Sequence, residues 1–151
     1  MTAPQDPHGF DAPQYGAPPP AYGAQPFGGA QLADWGTRVV GALIDGVIIA
    51  VAYFVLSAVS SPLGRLAQLV AFVGFGYLVG TTGQTPGKQV MKIKVLREAD
   101  GQLLGAGAGI GRAFLHILDS LSCLVGYLWP LWDAKKQTFA DKIIKSVVVK
   151  V

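Results

Sequence analysis

The sequence feature that most constrains the fold is a run of 19 residues without a formal charge, residues 46–64. At about 1.5 Å per helical residue, such a run crosses most of a bilayer's hydrocarbon core, which is roughly 30 Å thick. A second uncharged run of 22 residues follows at 66–87. The two runs predict membrane-spanning helices at about 38–60 and 66–82, joined by a proline-containing turn at 61–64.

The composition agrees with a membrane protein, because 51% of the residues are hydrophobic and only 14% are charged. Ten of the twelve lysines and arginines lie from Lys88 onward, and residues 1–34 contain none. These basic residues flank apolar segments and form no nucleic-acid readout motif, so the predicted partner is the lipid bilayer and not nucleic acid. The single cysteine, Cys123, excludes disulfides within the chain and cysteine-built metal sites.

The N-terminal segment differs from the rest of the chain. Residues 1–33 carry seven of the ten prolines, with glycine and tyrosine between them, and predict a disordered cytoplasmic tail. The segment lacks a basic stretch followed by an apolar core, so we expect that it is not a signal peptide. Proline-rich sequence can dock in aromatic grooves of partner proteins, but a solvated tail is the favoured interpretation. Residues 34–151 are predicted to form the membrane domain.

An aspartate lies just inside the first predicted helix. A carboxylate within a spanning helix is costly, so Asp45 is by default a functional-site hypothesis. The nearest candidate partner is Arg38, which lies seven residues or two helical turns earlier and so shares its helical face. The two side chains are about 10 Å apart along the helix axis, too far for direct contact.

Small residues predict how the two spanning helices pack. Ala42, Gly46 and Ala50 recur every fourth residue on the first helix, and Gly76 and Gly80 form a GxxxG pair on the second. Such residues let helix backbones approach closely. The pattern predicts a tight hairpin in which the two small-residue surfaces face each other.

A loop and two strands are predicted around the hairpin. The loop is Thr85, Pro86, Gly87 and Lys88, which resembles a phosphate-binding loop but lacks its first glycine and its closing Ser/Thr. Alternating apolar residues then predict a strand at about 89–96. A valine-rich strand at about 145–151 could pair with it as a short cytoplasmic β-hairpin-like element. The glycines at 105–111 predict a flexible loop.

The third apolar segment is too short to span the bilayer without including charge. Its uncharged core, residues 120–132, has 13 residues, so a helix at about 110–132 includes His116 and Asp119. Together with Arg112 these residues lie at i, i+4 and i+7, on one helical face. The predicted intramembrane polar site consists of Asp45, Arg112, His116 and Asp119.

The basic clusters predict the topology. Residues 88–97 hold four basic residues and the tail from residue 133 holds five, so a third crossing would place one cluster outside, against the positive-inside rule. The favoured fold is therefore an all-α membrane protein with two transmembrane helices, a re-entrant third segment and both termini cytoplasmic. A spanning third segment is the alternative.

Specific residues carry a family resemblance. Arg38 and Asp45 stand at the start of the first helix and within it, the Thr85–Lys88 loop reads TPGK, and Gln137 with Asp141 forms Q-x-x-x-D. With these residues the sequence from about 33 to 151 resembles the RDD family of small bacterial membrane proteins, named for one arginine and two aspartates. The resemblance implies that Asp141 is the second aspartate, with Asp119 as the rival. The first 30 residues lie outside the resemblance.

The resemblance implies a multi-pass protein of the bacterial plasma membrane and a transport function, with cation/proton exchange in some members. Two or three helices cannot enclose a pathway, so transport would require a homo-oligomer or another membrane protein. The alternative is a structural or scaffold protein in which the same charges pin helix ends. An enzyme is not predicted, because the sequence has no nucleophile elbow and no metal-ligand spacing around His8 and His116. No catalytic residue, metal or cofactor is predicted.

Overall fold

The computed structural model of the protein describes residues 30–151, and the predicted disordered tail lies almost entirely outside this part. The helices of the described part are α1 (Trp35–Val59), α2 (Ser61–Thr82), α3 (Pro86–Val90), α4 (Ala106–Leu121), α5 (Val125–Leu128) and α6 (Phe139–Ile144). The strands are β1 (Ile93–Arg97) and β2 (Ser146–Lys150). This confirms the predicted fold class, a helical chain with one small antiparallel sheet.

Helices α1 and α2 are both long and apolar enough to cross a membrane. The carboxylate of Asp34 caps α1 by accepting the Thr37 N–H at 2.8 Å, and this hydrogen bond holds the pKa of Asp34 well below its usual range. The predicted turn at 61–64 is wrong, because α2 begins directly after the extended residue Ser60. Pro62 is accommodated in the first turn of α2, where no backbone N–H is needed.

The two strands pair antiparallel, with Ile93 opposite Lys150 and Arg97 opposite Ser146. The strand predicted at 89–96 begins later than expected, since Pro86 opens the short helix α3 and β1 starts only at Ile93. On the other edge of β2, the Ala33 N–H donates to the Val148 carbonyl at 2.8 Å. The segment before α1 and both strands therefore lie at one end of the α1–α2 hairpin.

Helix α4 packs on α2 through glycines. An added Cβ at Gly76 would lie 2.9 Å from Ile110 Cα, and one at Gly80 would lie 2.3 Å from the Gly105 carbonyl oxygen. The predicted partner of this GxxxG pair, the Ala42, Gly46 and Ala50 stripe on α1, is therefore wrong. The loop predicted at 105–111 is also wrong, because α4 begins at Ala106 and close packing outweighs the low helix propensity of glycine.

The third apolar segment is broken, not a single helix at 110–132. Cys123 and Leu124 have φ angles of 53° and 66°, and the chain bends by 107° between α4 and Val125–Leu131. By length and composition the two pieces together could count as a third span. However, the Trp35 indole N–H donates to the Tyr127 carbonyl at 2.9 Å, so the second piece returns to the start of α1.

Together with the positive-inside rule, this geometry predicts which positions are accessible from outside the cell. In a Cys123→Ser background, we expect Ser61→Cys to react with a membrane-impermeant maleimide on intact cells and Ala134→Cys to react only after lysis. Both side chains are exposed, and they lie at opposite ends of the α1–α2 hairpin. Position 146 is unsuitable because Ser146 is fully buried. Labelling of both Ser61→Cys and Ala134→Cys on intact cells would mean that the third segment crosses the membrane.

Candidate functional site

A cavity of about 360 Å³ lies between α1, α2 and α4, at the end of the hairpin that carries the sheet. Its wall is charged at the sheet end and apolar further along the helices. Apart from Tyr127, the ionisable side chains in the wall are those of Arg38, Asp45, Lys88, Arg112 and His116. The apolar part includes Ile49, Phe72 and Phe75.

Behind this wall, Asp141 joins three helices. Its carboxylate accepts from the Arg38 guanidinium and from Arg112 Nε at 2.7 Å, so α6 is tied to both α1 and α4. The Ser146 hydroxyl also donates to this carboxylate, at 2.8 Å. Asp141 is held in place by a capping box with Thr138 at the start of α6.

Asp141 is fully buried but ionised. Burial by itself raises the pKa of a carboxyl group. The charges of Arg112 and Arg38 outweigh this effect and hold the pKa of Asp141 well below its usual range. Asp141 is therefore a buried anion whose charge is balanced by two arginines. Because it is ionised at neutral pH, it attracts Arg38 on α1 and Arg112 on α4.

Asp45 binds the TPGK loop, and Arg38 is not its partner. Its Oδ1 accepts the Gly87 N–H at 2.7 Å, and its Oδ2 accepts the Thr85 hydroxyl. Lys88 Nζ lies 3.5 Å from the same Oδ2. The contact needs glycine at 87, because an added Cβ there would lie 2.0 Å from the Gly41 carbonyl oxygen.

Lys88 is the charged loop residue that faces the cavity, beside Thr85. Burial, and then the positive charge of Arg112, lowers the pKa of Lys88 to about 8. Asp45 partly opposes this shift. A substantial fraction of Lys88 is therefore uncharged near pH 8, unlike an ordinary lysine, whose pKa is about 10.4.

This pKa gives a testable pH dependence. We expect acetylation of Lys88 by acetic anhydride to reach half its maximal rate near pH 8, and at lower pH still in Asp45→Asn. Lysines of the denatured protein serve as the control. An acetylation midpoint equal to that of the denatured chain would contradict the assignment.

The same pKa affects the free energy of unfolding. Between pH 8 and about 10.4 the unfolded chain keeps the Lys88 proton that the folded chain loses, so Lys88 makes stability rise with pH over this range.

His116 and Asp119 form a second polar pair on α4. His116 Nδ1 lies 2.7 Å from Asp119 Oδ2, and the imidazole stacks on the Tyr127 ring with centroids 5.5 Å apart. Asp119 is fully buried and its Oδ1 accepts the Phe139 N–H at 3.1 Å. Gly126 allows this contact, since an added Cβ would lie 2.1 Å from Asp119 Oδ1.

The structure thus divides the predicted polar set. Asp45, Arg112 and His116 share the cavity wall, whereas Asp119 lies behind it and contacts α6. The residues that carried the resemblance, Arg38, Asp45 and Asp141, do not form one cluster, because Arg38 pairs with Asp141 and Asp45 pairs with the loop.

Other wall residues were not predicted as part of a site. Thr138 could have been identified as the start of a helix, because a threonine three residues before an acid, here Asp141, is the pattern of a capping box. Phe72 and Phe75 carry no such signal, because aromatic residues in an apolar run are ordinary. Among residues 30–151, no group of three or more His, Cys, Asp or Glu side chains could hold a metal ion.

Comparisons with known proteins identify relatives in mycobacteria. The chain is 43% identical over 99 residues to the proline-rich antigen homolog of Mycobacterium tuberculosis, which covers 60% of this chain and 41% of that protein. It is 47% identical over 77 residues to the proline-rich antigen of Mycobacterium leprae, covering 51% of this chain and 31% of that protein. The chain therefore spans less than half the length of these curated relatives. No solved structure matches it.

The family comparison covers the whole site. The model of the RDD family matches residues 32–145, which include α1 to α6 and every ionisable residue of the cavity wall. The match also agrees with two helices long and apolar enough to span a membrane. This chain is a membrane protein that belongs to the RDD family.

Proposed function

We propose that this protein binds a small anionic solute in the cavity and moves it across the membrane as an oligomer. The observation that carries the proposal is the charge of the cavity wall. Arg38, Lys88 and Arg112 all face the cavity, whereas Asp45 is the only carboxylate in the wall of the described structure. Both oxygens of Asp45 already accept hydrogen bonds from the protein.

The depth of the site supports transport over a purely structural role. An ionisable residue inside a spanning segment must face protein or a polar cavity and not lipid, and it often marks a solute pathway. Asp45 lies on α1 and Arg112 on α4, which are both apolar helices, and the two residues line the same cavity. Ion pairs that only tied helices together would not require a cavity beside them.

Two or three helices cannot enclose a pathway, so the proposal requires self-association or another membrane protein. The positive-inside rule places the basic sheet end, with both chain ends, on the cytoplasmic side of the bacterial plasma membrane. The cavity would then open toward the cytoplasm.

Cation/proton exchange is the second candidate, and one contact favours it. Lys88 lies 3.5 Å from Asp45 and has a pKa of about 8, so loss of its proton would leave Asp45 able to attract a cation. Proton release would thereby be coupled to cation binding. The scaffold role remains the competing proposal, in which Asp141 and the arginines only fasten α1, α4 and α6.

The experiment is a flux assay in proteoliposomes. Uptake of radiolabelled inorganic phosphate and acetate tests the anionic solute, and a pH-sensitive dye with a sodium gradient tests cation exchange in the same vesicles. We expect Lys88→Gln to reduce anion uptake about tenfold, because a charge-assisted hydrogen bond is lost. The control is Lys92→Gln, which removes the same charge from an exposed residue outside the cavity wall.

The variants also separate the candidate roles. Sodium-dependent proton movement that is lost in Asp45→Asn, without anion uptake, would favour cation exchange. Folded protein that moves neither class of ion above the level of empty liposomes would overturn the transport proposal and favour the scaffold role. Gel filtration of each variant establishes that it is folded.

A further inference from the structure

The cavity is elongated along α1. Its wall includes Trp35 at the start of this helix and Ile49 fourteen residues later, a distance of about 21 Å along the helix axis. Half of a bilayer's hydrocarbon core is roughly 15 Å thick. With Trp35 and Arg38 at headgroup level, where tryptophan and basic side chains are favoured, the cavity covers the depth of one leaflet.

The polar and apolar parts of the wall lie in the order of a lipid molecule. Arg38 lies three residues into α1, and Lys88 Nζ lies 3.5 Å from Asp45, which is one helical turn before Ile49. Ile49, Phe72 and Phe75 form the wall deeper in the hairpin. A molecule with its headgroup beside the sheet and its chain beside the phenylalanines would lie parallel to its neighbours in the leaflet.

The cavity opens beside α1. Ala42 and Gly46 belong to its wall and are exposed at the molecular surface, and an added Cβ at Gly46 would meet no atom within 4 Å. The neighbouring residues Leu43 and Val47 are 63% and 61% exposed, so the surface around the opening is apolar. Access from the side of the membrane therefore requires no movement of α1.

Unused hydrogen-bond donors define the chemistry of the headgroup. Arg112 bonds Asp141 through Nε and Nη2, and its Nη1 donates to none of residues 30–151. The Lys88 ammonium donates to the Thr85 hydroxyl at 3.1 Å and approaches Asp45, and its third N–H group has no acceptor among the residues that the structure describes. Free donors on two cations, beside occupied carboxylates, favour an anion with several acceptor oxygens, such as a phosphate.

From this geometry we infer that the cavity binds an anionic phospholipid of the leaflet on the side of the sheet. Its phosphate contacts Lys88 and Arg112, and one acyl chain lies against Ile49, Phe72 and Phe75. This inference rests on the proposed function and specifies it, because the phospholipid would be the anionic solute.

The test measures lipid binding to the purified full chain in dodecyl maltoside by native mass spectrometry. The probes are phosphatidylglycerol and phosphatidylcholine with the same acyl chains, together with inorganic phosphate. We expect phosphatidylglycerol to bind about tenfold or more tightly than phosphatidylcholine. Lys88→Gln should remove this preference, whereas Lys92→Gln should retain it.

A second pair of variants tests the acyl chain. Gly46→Leu should fill the opening and reduce phosphatidylglycerol binding about tenfold, while inorganic phosphate binding is unchanged. Gly74→Leu is the matched control, since an added Cβ there also meets no atom within 4 Å and Gly74 is outside the cavity wall. If Gly46→Leu fails to fold, Ala42→Leu closes the same opening from the preceding turn.

The outcomes separate this inference from the proposed function. Equal binding of the two lipids, or undiminished phosphatidylglycerol binding in both opening variants, would overturn the lipid inference. In that case Lys88-dependent binding of inorganic phosphate would still support a small anionic solute. Absence of both lipid and phosphate binding to folded protein would overturn both proposals.

Discussion

Asp141→Asn is expected to cause the largest loss of stability of any single substitution in the polar cluster, about 3–5 kcal/mol in the free energy of unfolding. The carboxylate is fully buried, and its removal leaves the buried Arg112 and the partly buried Arg38 without their anion. Thermal unfolding of the detergent-purified protein checks this result. The control is Asp100→Asn, which breaks an exposed pair with Arg97 and should cost at most about 1 kcal/mol.

The same ion cluster predicts an acid-dependent loss of stability. Because the pKa of Asp141 lies below its ordinary value of 3.8, its stabilising contribution is fully present above that pH. It decreases as the pH falls below 3.8, when the unfolded chain takes up a proton that the folded chain does not.

An unfolding temperature of Asp141→Asn that matches Asp100→Asn at neutral pH would contradict the central role of Asp141.

Gly109→Ala is also expected to cause a large loss of stability, about 1–3 kcal/mol, from overpacking between α2 and α4. The added Cβ would lie 2.3 Å from Gly80 N and 2.4 Å from the Gly76 carbonyl oxygen. These are backbone atoms that cannot move without separating the helices. Thermal unfolding in detergent measures the loss.

Gly107→Ala is the matched control for this prediction. It lies on the same helix, and an added Cβ there meets no atom within 4 Å. Replacement of an exposed helical glycine by alanine should raise stability by up to about 1 kcal/mol. Equal effects of the two substitutions would mean that α2 and α4 are not in close contact at Gly109.

Several parts of the fold could be predicted from the sequence, because they depend on local patterns. Uncharged runs determine the two long helices, since a spanning segment must bond its own backbone groups in an apolar surrounding. The alternation around Ile93 and the valines of β2 predicts the paired strands. By contrast, the loop prediction at 105–111 failed because contact with Gly76 and Gly80 stabilises a glycine-rich helix whose own propensity is poor.

The sequence also predicted residues of the site better than their partners. It singled out four charged or titratable groups in apolar segments; Asp45, Arg112 and His116 line the cavity, whereas Asp119 does not. It offered Arg38 as the nearest candidate partner of Asp45, because helical spacing is the only distance that a sequence provides. The observed partner of Arg38 is 103 residues away in the chain.

By itself, then, the sequence determined that this chain is a helical membrane protein, which segments are long enough to span, and which side chains are too costly to face lipid. These properties follow from composition and periodicity within each segment. Only the tertiary structure decided that Asp141 pairs with Arg38 and Arg112, that Asp45 holds the TPGK loop, and that a cavity lies between them. Such pairings depend on how separate helices cross and bend, and the energies that fix them arise only when distant residues come into contact.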